Sequence, residues 1–282
     1  MTKEYRARKA RRQHRREHQC QQNDRVEHSI DDDRSKRRRD RDTSGRFLAE
    51  GPQAVREALS VPGCLIELFG TAEARARQAP LVEAAGPRFS TVTDDALAAL
   101  AETVQPQGLV AVCRQLDVPL DDVLSTGPRL VAVCAGIRDP GNAGTVLRTA
   151  DAAGASAVVF AVDAVDPYNG KAVRASAGSL FHVGLVRAPD PSASLDALRA
   201  AGLRVLAADA HGDADLDDLA DAGDLAAPTA WLFGSEAHGL PDELASRADA
   251  RVRVPIHGRA ESLNLAAAAA ICLYASARAQ RR

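Results

Sequence analysis

Six short strand-like runs, five of them apolar with no polar alternation, constrain this chain more than any other feature. The five fall at 130–135, 157–162, 183–186, 205–208 and 230–233, and the sixth, Val-Arg-Val at 252–254, is broken by one arginine. A strand that shows one face to water alternates; a strand buried on both faces does not. Between most of the runs lie stretches of helical pattern, at 143–153, 171–177, 192–201, 241–248 and 263–278. Buried strands interleaved with helices predict a mostly parallel sheet covered on both sides. In such sheets ligands sit beyond the carboxyl ends of the strands. That rule selects three loops, 136–144, 234–239 and 255–262.

The preceding 70 or so residues alternate β and α on a smaller scale. Extended segments are predicted at 47–49, 64–69, 89–92 and 109–113. Helices are predicted after Gly51-Pro52, over 71–85, and over 94–101 with an Asp cap. Residues 46–116 therefore form a small α/β module, and 117–128, with two prolines and a Ser-Thr-Gly turn, is predicted as a linker to the larger module at 129–282.

Residues 1–45 contain almost no large apolar side chain, so this arm is expected to be disordered. Charge divides unevenly along the chain. Residues 1–46 hold 16 Lys/Arg against 9 Asp/Glu, a net of +7, which leaves 20 against 29, a net of −9, for the remainder. A basic arm on an acidic body suggests a polyanionic partner, most often nucleic acid. A solvated tail, or an upstream start codon that is not used, would have the same composition.

The five cysteines are odd in number and include no C-x-x-C pair, a reducing-compartment pattern without a zinc framework or disulfide scaffold. No metal is expected. No window approaches the roughly 18 apolar residues of a membrane span, and the N-terminus lacks a signal-peptide core. A cytoplasmic protein with no membrane partner is the expectation.

The three loops are rich in Gly, Asn and Ser. The first, Gly136-Ile-Arg-Asp-Pro-Gly-Asn-Ala-Gly, reads as a Pro140-Gly141 turn with Asn142 and Gly144 opening a helix and Arg148 about one turn deeper. It has neither the Lys-Ser/Thr of a P-loop nor the G-x-G-x-x-G of a dinucleotide site, so both common nucleotide readings fail. In the second loop, Gly234 permits close backbone approach and Glu236 is an acceptor able to orient a neighbouring donor. His238 has the chemistry of a general base, but a lone loop histidine is more often a bystander. The third loop leads into a long small-residue helix whose mouth, 261–264, offers free N–H groups and a favourable dipole end.

In this order the loops resemble the SpoU/TrmH family of RNA 2′-O-ribose methyltransferases, of the SPOUT superfamily. DPGNAGTVLRTA at 139–150 resembles its first motif, FGSEAHGL at 233–240 its second and VPIHGRAESLNL at 254–265 its third. VRASAGSLF at 173–181 is similar to a stretch found in rRNA-acting members, and 46–114 more loosely resembles the family's small α/β RNA-binding domain. The resemblance implies an α/β fold with a trefoil knot in the C-terminal domain, S-adenosyl-L-methionine as methyl donor, and a homodimer.

By position the resemblance carries the catalytic set to Arg148, Asn142, Glu236, Ser262 and Asn264, and cofactor contacts to Gly234, Val254, Ile256 and Leu263. Arg138, Arg174 and Arg259 are the candidates for RNA phosphate contact, with Arg174 in the rRNA-type stretch the first choice. The implied reaction is methyl transfer to a ribose 2′-hydroxyl, in rRNA more readily than tRNA because of the added domain at 46–114. Each residue also has an ordinary reading: Arg148 paired with a carboxylate such as Asp151, Asn142, Ser262 and Asn264 as helix caps, Glu236 as a solvated carboxylate, and the apolar residues as core. A non-catalytic RNA-binding or ribosome-assembly protein on the same fold is the alternative of a different class.

Overall fold

A computed structural model describes residues 38–161, 164–188 and 190–281, and the chain divides into two compact units between Gln115 and Leu116. Most of the N-terminal arm, residues 1–37, lies outside the described residues. Its last part does not match the expectation of disorder. Arg38–Ser44 is a helix, Arg41 is buried, and the Arg41 carbonyl accepts from the Gly45 N–H at 2.8 Å and from Gln115 Nε2 at 3.3 Å. Apolar content alone missed this turn because the residue buried in it, Arg41, is charged.

In the first unit, strands β1 (Arg46–Glu50), β2 (Leu65–Gly70), β3 (Phe89–Thr91) and β4 (Leu109–Arg114) form a sheet of order β1-β4-β2-β3. The central β4 runs antiparallel to both neighbours, and β2 and β3 are parallel. Leu48, Phe69, Leu97, Leu100, Val110 and Val112 form a core under one face. Two helix predictions are corrected. The stretch 71–85 is two helices, Ala72–Arg77 and Ala79–Ala85, because Pro80 has no N–H with which to continue the first. Helix Asp94–Leu100 is capped by the Thr93 hydroxyl, which accepts from Ala96 N, and its two Asp residues occupy the first turn instead.

The second unit contains seven strands: β5 (Leu130–Cys134), β6 (Ala157–Ala161), β7 (Gly184–Ala188), β8 (Arg204–Ala208), β9 (Ala214–Asp215), β10 (Thr229–Phe233) and β11 (Ala250–Arg253). Every pairing is parallel, in the order β7-β6-β5-β10-β8-β11-β9. β5, β6 and β10 are buried along their whole length, as their unbroken apolar sequence requires. The two-residue β9 was too short to register as a pattern. The segment 117–128, expected as a linker, belongs to this unit. It holds helix Leu120–Ser125, and Val123 packs into the core beside Val131, Val186 and Leu198. Two prolines are compatible with that packing because Pro119 sits just before the helix and Pro128 after it.

Strand order positions the site. From β5 the chain moves through β6 to β7 at one edge, then returns to β8 on the far side of β10. The direction of winding thus reverses between the neighbours β5 and β10, and the crevice beyond their carboxyl ends is where such sheets bind ligands. The loops after β5, β10 and β11 are the three that the sequence selected. No helix among the described residues is long and apolar enough to cross a membrane.

Candidate active site

The loop after β5 enters a fourteen-residue helix, Pro140–Ala153. It starts three residues earlier than predicted. Asp139 is its N-cap, with Oδ1 accepting from Asn142 N at 2.9 Å, and Pro140 takes the first helical position. Asn142 is therefore not the cap. It lies in the first turn with its side chain released for other contacts. Gly144 is required by packing, since a Cβ there would lie 2.3 Å from the Ala172 carbonyl oxygen of helix Gly170–Ala175.

Glu236, in the loop after β10, fastens this first loop. Its carboxylate accepts from Asn142 Nδ2 at 2.9 Å and from the backbone N–H groups of Arg138 and Asp139, both at 3.3 Å. Burial pushes the Glu236 carboxyl up. The hydrogen bonds from Asn142, from its own N–H and from Arg138 and Asp139 outweigh that and hold it below the usual carboxylate range. The second loop closes on itself, Ser235 N to Gly239 O at 2.8 Å and Gly239 N to Ser235 O at 3.0 Å. That closure explains Gly234: a Cβ would meet Gly239 C at 2.3 Å and Leu240 N at 2.5 Å. The glycine is needed by its own loop before any ligand is considered.

The loop after β11 leads into the closing helix, Leu265–Ala279. Its cap is Asn264, not Ser262: Asn264 Oδ1 accepts from Ala266 N at 2.9 Å and Ala267 N at 3.3 Å. Asn264 Nδ2 donates to Asn142 Oδ1 at 3.3 Å. One chain of contacts, Glu236–Asn142–Asn264, thus joins all three loops. Ser262 is exposed and outside this chain. Val254 is half-buried, just past the end of β11, while Ile256 and Leu263 are 37% and 38% exposed, unusually bare for large apolar residues.

Arg148 lies six residues beyond Asn142, on the exposed face of helix Pro140–Ala153, and has no hydrogen-bond or ion-pair partner among the described residues. Asp151, its anticipated partner, is paired with His182 Nδ1 at 2.9 Å. Arg138 and Arg259 are exposed, and Arg174 is half-buried. His238 is exposed, and its side chain makes no hydrogen bond among the described residues; its backbone N–H donates to Ser235 Oγ at 3.1 Å.

Sequence reasoning missed Asp139 and Lys171. Lys171 Nζ lies 2.8 Å from Asp139 Oδ2, and this bond, with the backbone N–H groups of Asn142 and Gly141, holds the Asp139 carboxyl below its ordinary value. The Asp-Pro dipeptide was the available signal, since Asp followed by Pro is a cap followed by a first-turn residue. Neither buried cysteine near the site offers a nucleophile. Burial and the Glu236 charge push the Cys134 thiol up, and burial pushes Cys272 up to about 12. Among the described residues, no group of three or more His, Cys, Asp or Glu could hold a metal ion.

Residues 129–274 match the model of the SpoU rRNA Methylase family, and residues 34–111 match that of the MRM3-like substrate binding domain. The chain is 35% identical over 237 residues to the 23S rRNA (guanosine(2553)-2′-O)-methyltransferase RlmP of Bacillus subtilis, covering 84% of this chain and 90% of that protein. Among solved structures it is similar to the AdoMet-bound rRNA methyltransferase of Sinorhizobium meliloti, with a TM-score of 0.77, 33% identity, and 88% and 94% of the two chains covered. The SpoU methyltransferase AviRb of Streptomyces viridochromogenes, in complex with AdoMet, gives a TM-score of 0.79 at 31% identity over 89% and 96% of the two chains.

Proposed function

The chain belongs to the SpoU rRNA methylase family, and on that footing we propose that it transfers a methyl group from S-adenosyl-L-methionine to a ribose 2′-hydroxyl of ribosomal RNA, in the cytoplasm. The observation that carries this reading is the Glu236–Asn142–Asn264 chain, which gathers the three motif loops at the switch point of the sheet.

The residues at the crevice fit such a donor. Ile256 and Leu263 offer exposed apolar surface of the kind an adenine ring would cover, half-buried Val254 precedes them in the same loop, and Gly234 keeps the second loop narrow. These four would hold the cofactor. When bound, S-adenosyl-L-methionine supplies an electrophilic methyl on a positive sulfonium. Alignment of the acceptor and removal of its proton are left to the protein and the RNA.

Arg148 cannot act as a base, because guanidinium keeps its proton throughout the working range. Its planar fork suits a different task, clamping the acceptor phosphate and stabilising negative charge as it develops on the 2′-oxygen. The 2′-hydroxyl would give its proton to a phosphate oxygen of the RNA as its oxygen takes the methyl and the methyl–sulfur bond breaks, leaving a neutral thioether. Asn142 and Glu236 hold the first loop in place for this, while Ser262 and Asn264 shape the third loop toward the acceptor. Arg138, Arg174 and Arg259 supply phosphate contacts around the crevice. The first unit, with its match to a substrate-binding domain, supplies further RNA recognition.

A homodimer belongs to the same proposal. Ile271 and Tyr274, 41% and 51% exposed, lie on the outer face of the closing helix, where a second copy would cover them. So does the knot implied by the resemblance: after β11, beyond β8, the connection 254–264 brings the chain back to a helix packed on β5 and on Pro140–Ala153.

The test has two arms. Calorimetry with S-adenosyl-L-methionine should detect binding, and labelled donor incubated with total rRNA or total tRNA should leave alkali-resistant linkages in the rRNA. Absence of binding with and without RNA sinks the enzyme, and label confined to tRNA sinks the substrate. Arg148→Lys should lower kcat by about 10²–10³-fold, the usual cost of losing an oriented donor to a developing oxyanion. Full activity in that variant would remove the clamp.

A further inference from the structure

The buried face of the closing helix is nearly smooth. Ala266, Ala269, Cys272 and Ala277 make up most of it, with Leu273 its one large side chain and Ser276 its one polar residue. Small side chains let a helix approach its sheet closely, but they present weak ridges, and ridges fitted into grooves are what normally fix a helix against sliding and rotation. Packing of this kind leaves room for a directional contact to set the position of Asn264 at the mouth of the helix. Its own link to Asn142, one exposed bond of 3.3 Å, joins the loops but cannot by itself fix the register of a fifteen-residue helix.

Ser276 Oγ accepts a hydrogen bond from Trp231 Nε1 at 2.9 Å, and both residues are 0% exposed. Trp231 is the only tryptophan in the chain and lies on β10, three residues before Gly234 and the second loop. Its indole can only donate. A one-residue slip of the helix would turn Ser276 by about 100° and shift it by about 1.5 Å, leaving that donor buried without a partner. A polar contact set in an otherwise apolar interface is a well-attested register device. Beyond it, Gln280 Nε2 donates to the carbonyls of Arg129, at 2.9 Å, and Ala227, at 3.0 Å, just before β5 and β10 begin. The helix is thus indexed against the two strands whose far ends carry the first and second loops.

We propose that Trp231 and Ser276 are a positioning pair for methyl transfer: their buried bond fixes the register of the closing helix and so places Asn264, twelve residues upstream, against Asn142. The inference rests on the functional reading above for its catalytic consequence, and on packing alone for its structural one.

The experiment uses the full chain with Ser276→Ala, Ser276→Cys, Asn264→Ala and the double variant Ser276→Ala/Asn264→Ala. All are assayed at a temperature where circular dichroism shows them folded. Ser276→Ala should lower kcat about tenfold, a loss typical of misplaced reacting groups, while KM for RNA stays within about twofold. In the Asn264→Ala background the same change should cost little further, because the two residues act as one unit. Ser276→Cys, similar in size with a weaker acceptor, should fall between wild type and Ser276→Ala, and it takes over the test if the alanine variant does not fold. Hydrogen exchange without substrate supplies a second readout: the hydrogen-bonded amides of 142–145 and 266–268 should exchange at least about tenfold faster in the Cys variant. Unchanged exchange there, or an unchanged kcat alongside a lowered unfolding midpoint, overturns the proposal. An inactive wild-type protein whose variants still show the exchange change would instead overturn the functional reading and leave the register pair standing.

Discussion

The three loops at the carboxyl end of the parallel sheet are built in two different ways. The first and second are locked together: one carboxylate, Glu236, accepts from two backbone N–H groups and from the Asn142 amide, and the second loop is closed by its own pair of backbone bonds. The third is almost untethered. Residues 256–263 are exposed, their side chains make no hydrogen bond among the described residues, and the loop is tied to the others only through Asn264. Charge-assisted bonds make half of the crevice before any ligand arrives, while the other half offers bare apolar side chains that gain only when something covers them. A site built this way bears the ordering cost of the first two loops during folding and defers that of the third to binding.

Removing the lock should have the largest effect on this contrast. Glu236→Ala leaves the Arg138 and Asp139 N–H groups and the Asn142 amide without their shared acceptor, and the first loop should loosen to resemble the third. Methyl-transfer kcat/KM should fall about 10²–10³-fold, in the range that misorientation of reacting groups produces. A loss of less than about threefold, well below the effect of one oriented donor, would mean that the two halves of the crevice do not differ in function.

The open half calls for the opposite signature. Ile256→Ala and Leu263→Ala should each weaken S-adenosyl-L-methionine binding about five- to tenfold, roughly 1–1.4 kcal/mol of lost apolar contact. The melting temperature should hardly change, because exposed side chains contribute little to folding. If melting drops by several degrees and affinity does not change, the third loop is packed in solution and the contrast is wrong.

How much of this was legible depended on the kind of signal. The parallel sheet was written in runs such as Leu130–Cys134 and Thr229–Phe233, because burial on both faces leaves no alternation to misread. The loops followed from the strand ends. Contacts between side chains far apart in sequence were not legible: nothing local ties Glu236 to Asn142, or Lys171 to Asp139. Helix starts were misplaced where several capping residues compete, at Asp139 against Asn142, Asn264 against Ser262 and Thr93 against Asp94. Propensity ranks these residues alike, and only the bend of the chain decides which one sits outside the first turn. The 117–128 segment failed for another reason: its prolines flank a helix, and its composition could not reveal that Val123 is inserted into a core made by β5, β7 and a distant helix.

Acid should discriminate between the two halves with the smallest effect. The Glu236 and Asp139 carboxyls are both held below their ordinary values, Glu236 by hydrogen bonds that overcome its burial and Asp139 foremost by Lys171. A group whose folded value is depressed adds stability that is fully present above its unfolded value, about 4.3 for Glu, and lost as pH falls through the folded one. The stability difference between wild type and Glu236→Gln should therefore be constant at neutral pH and shrink toward zero as denaturant unfolding is repeated at progressively lower pH. Because Glu236 is largely solvent-facing, screening holds this difference to under about 1 kcal/mol. Ser262→Ala, in the loop that uses no carboxylate for its structure, should give a difference that does not vary with pH. A flat profile for Glu236→Gln as well would show that shape, not charge, holds the first two loops together.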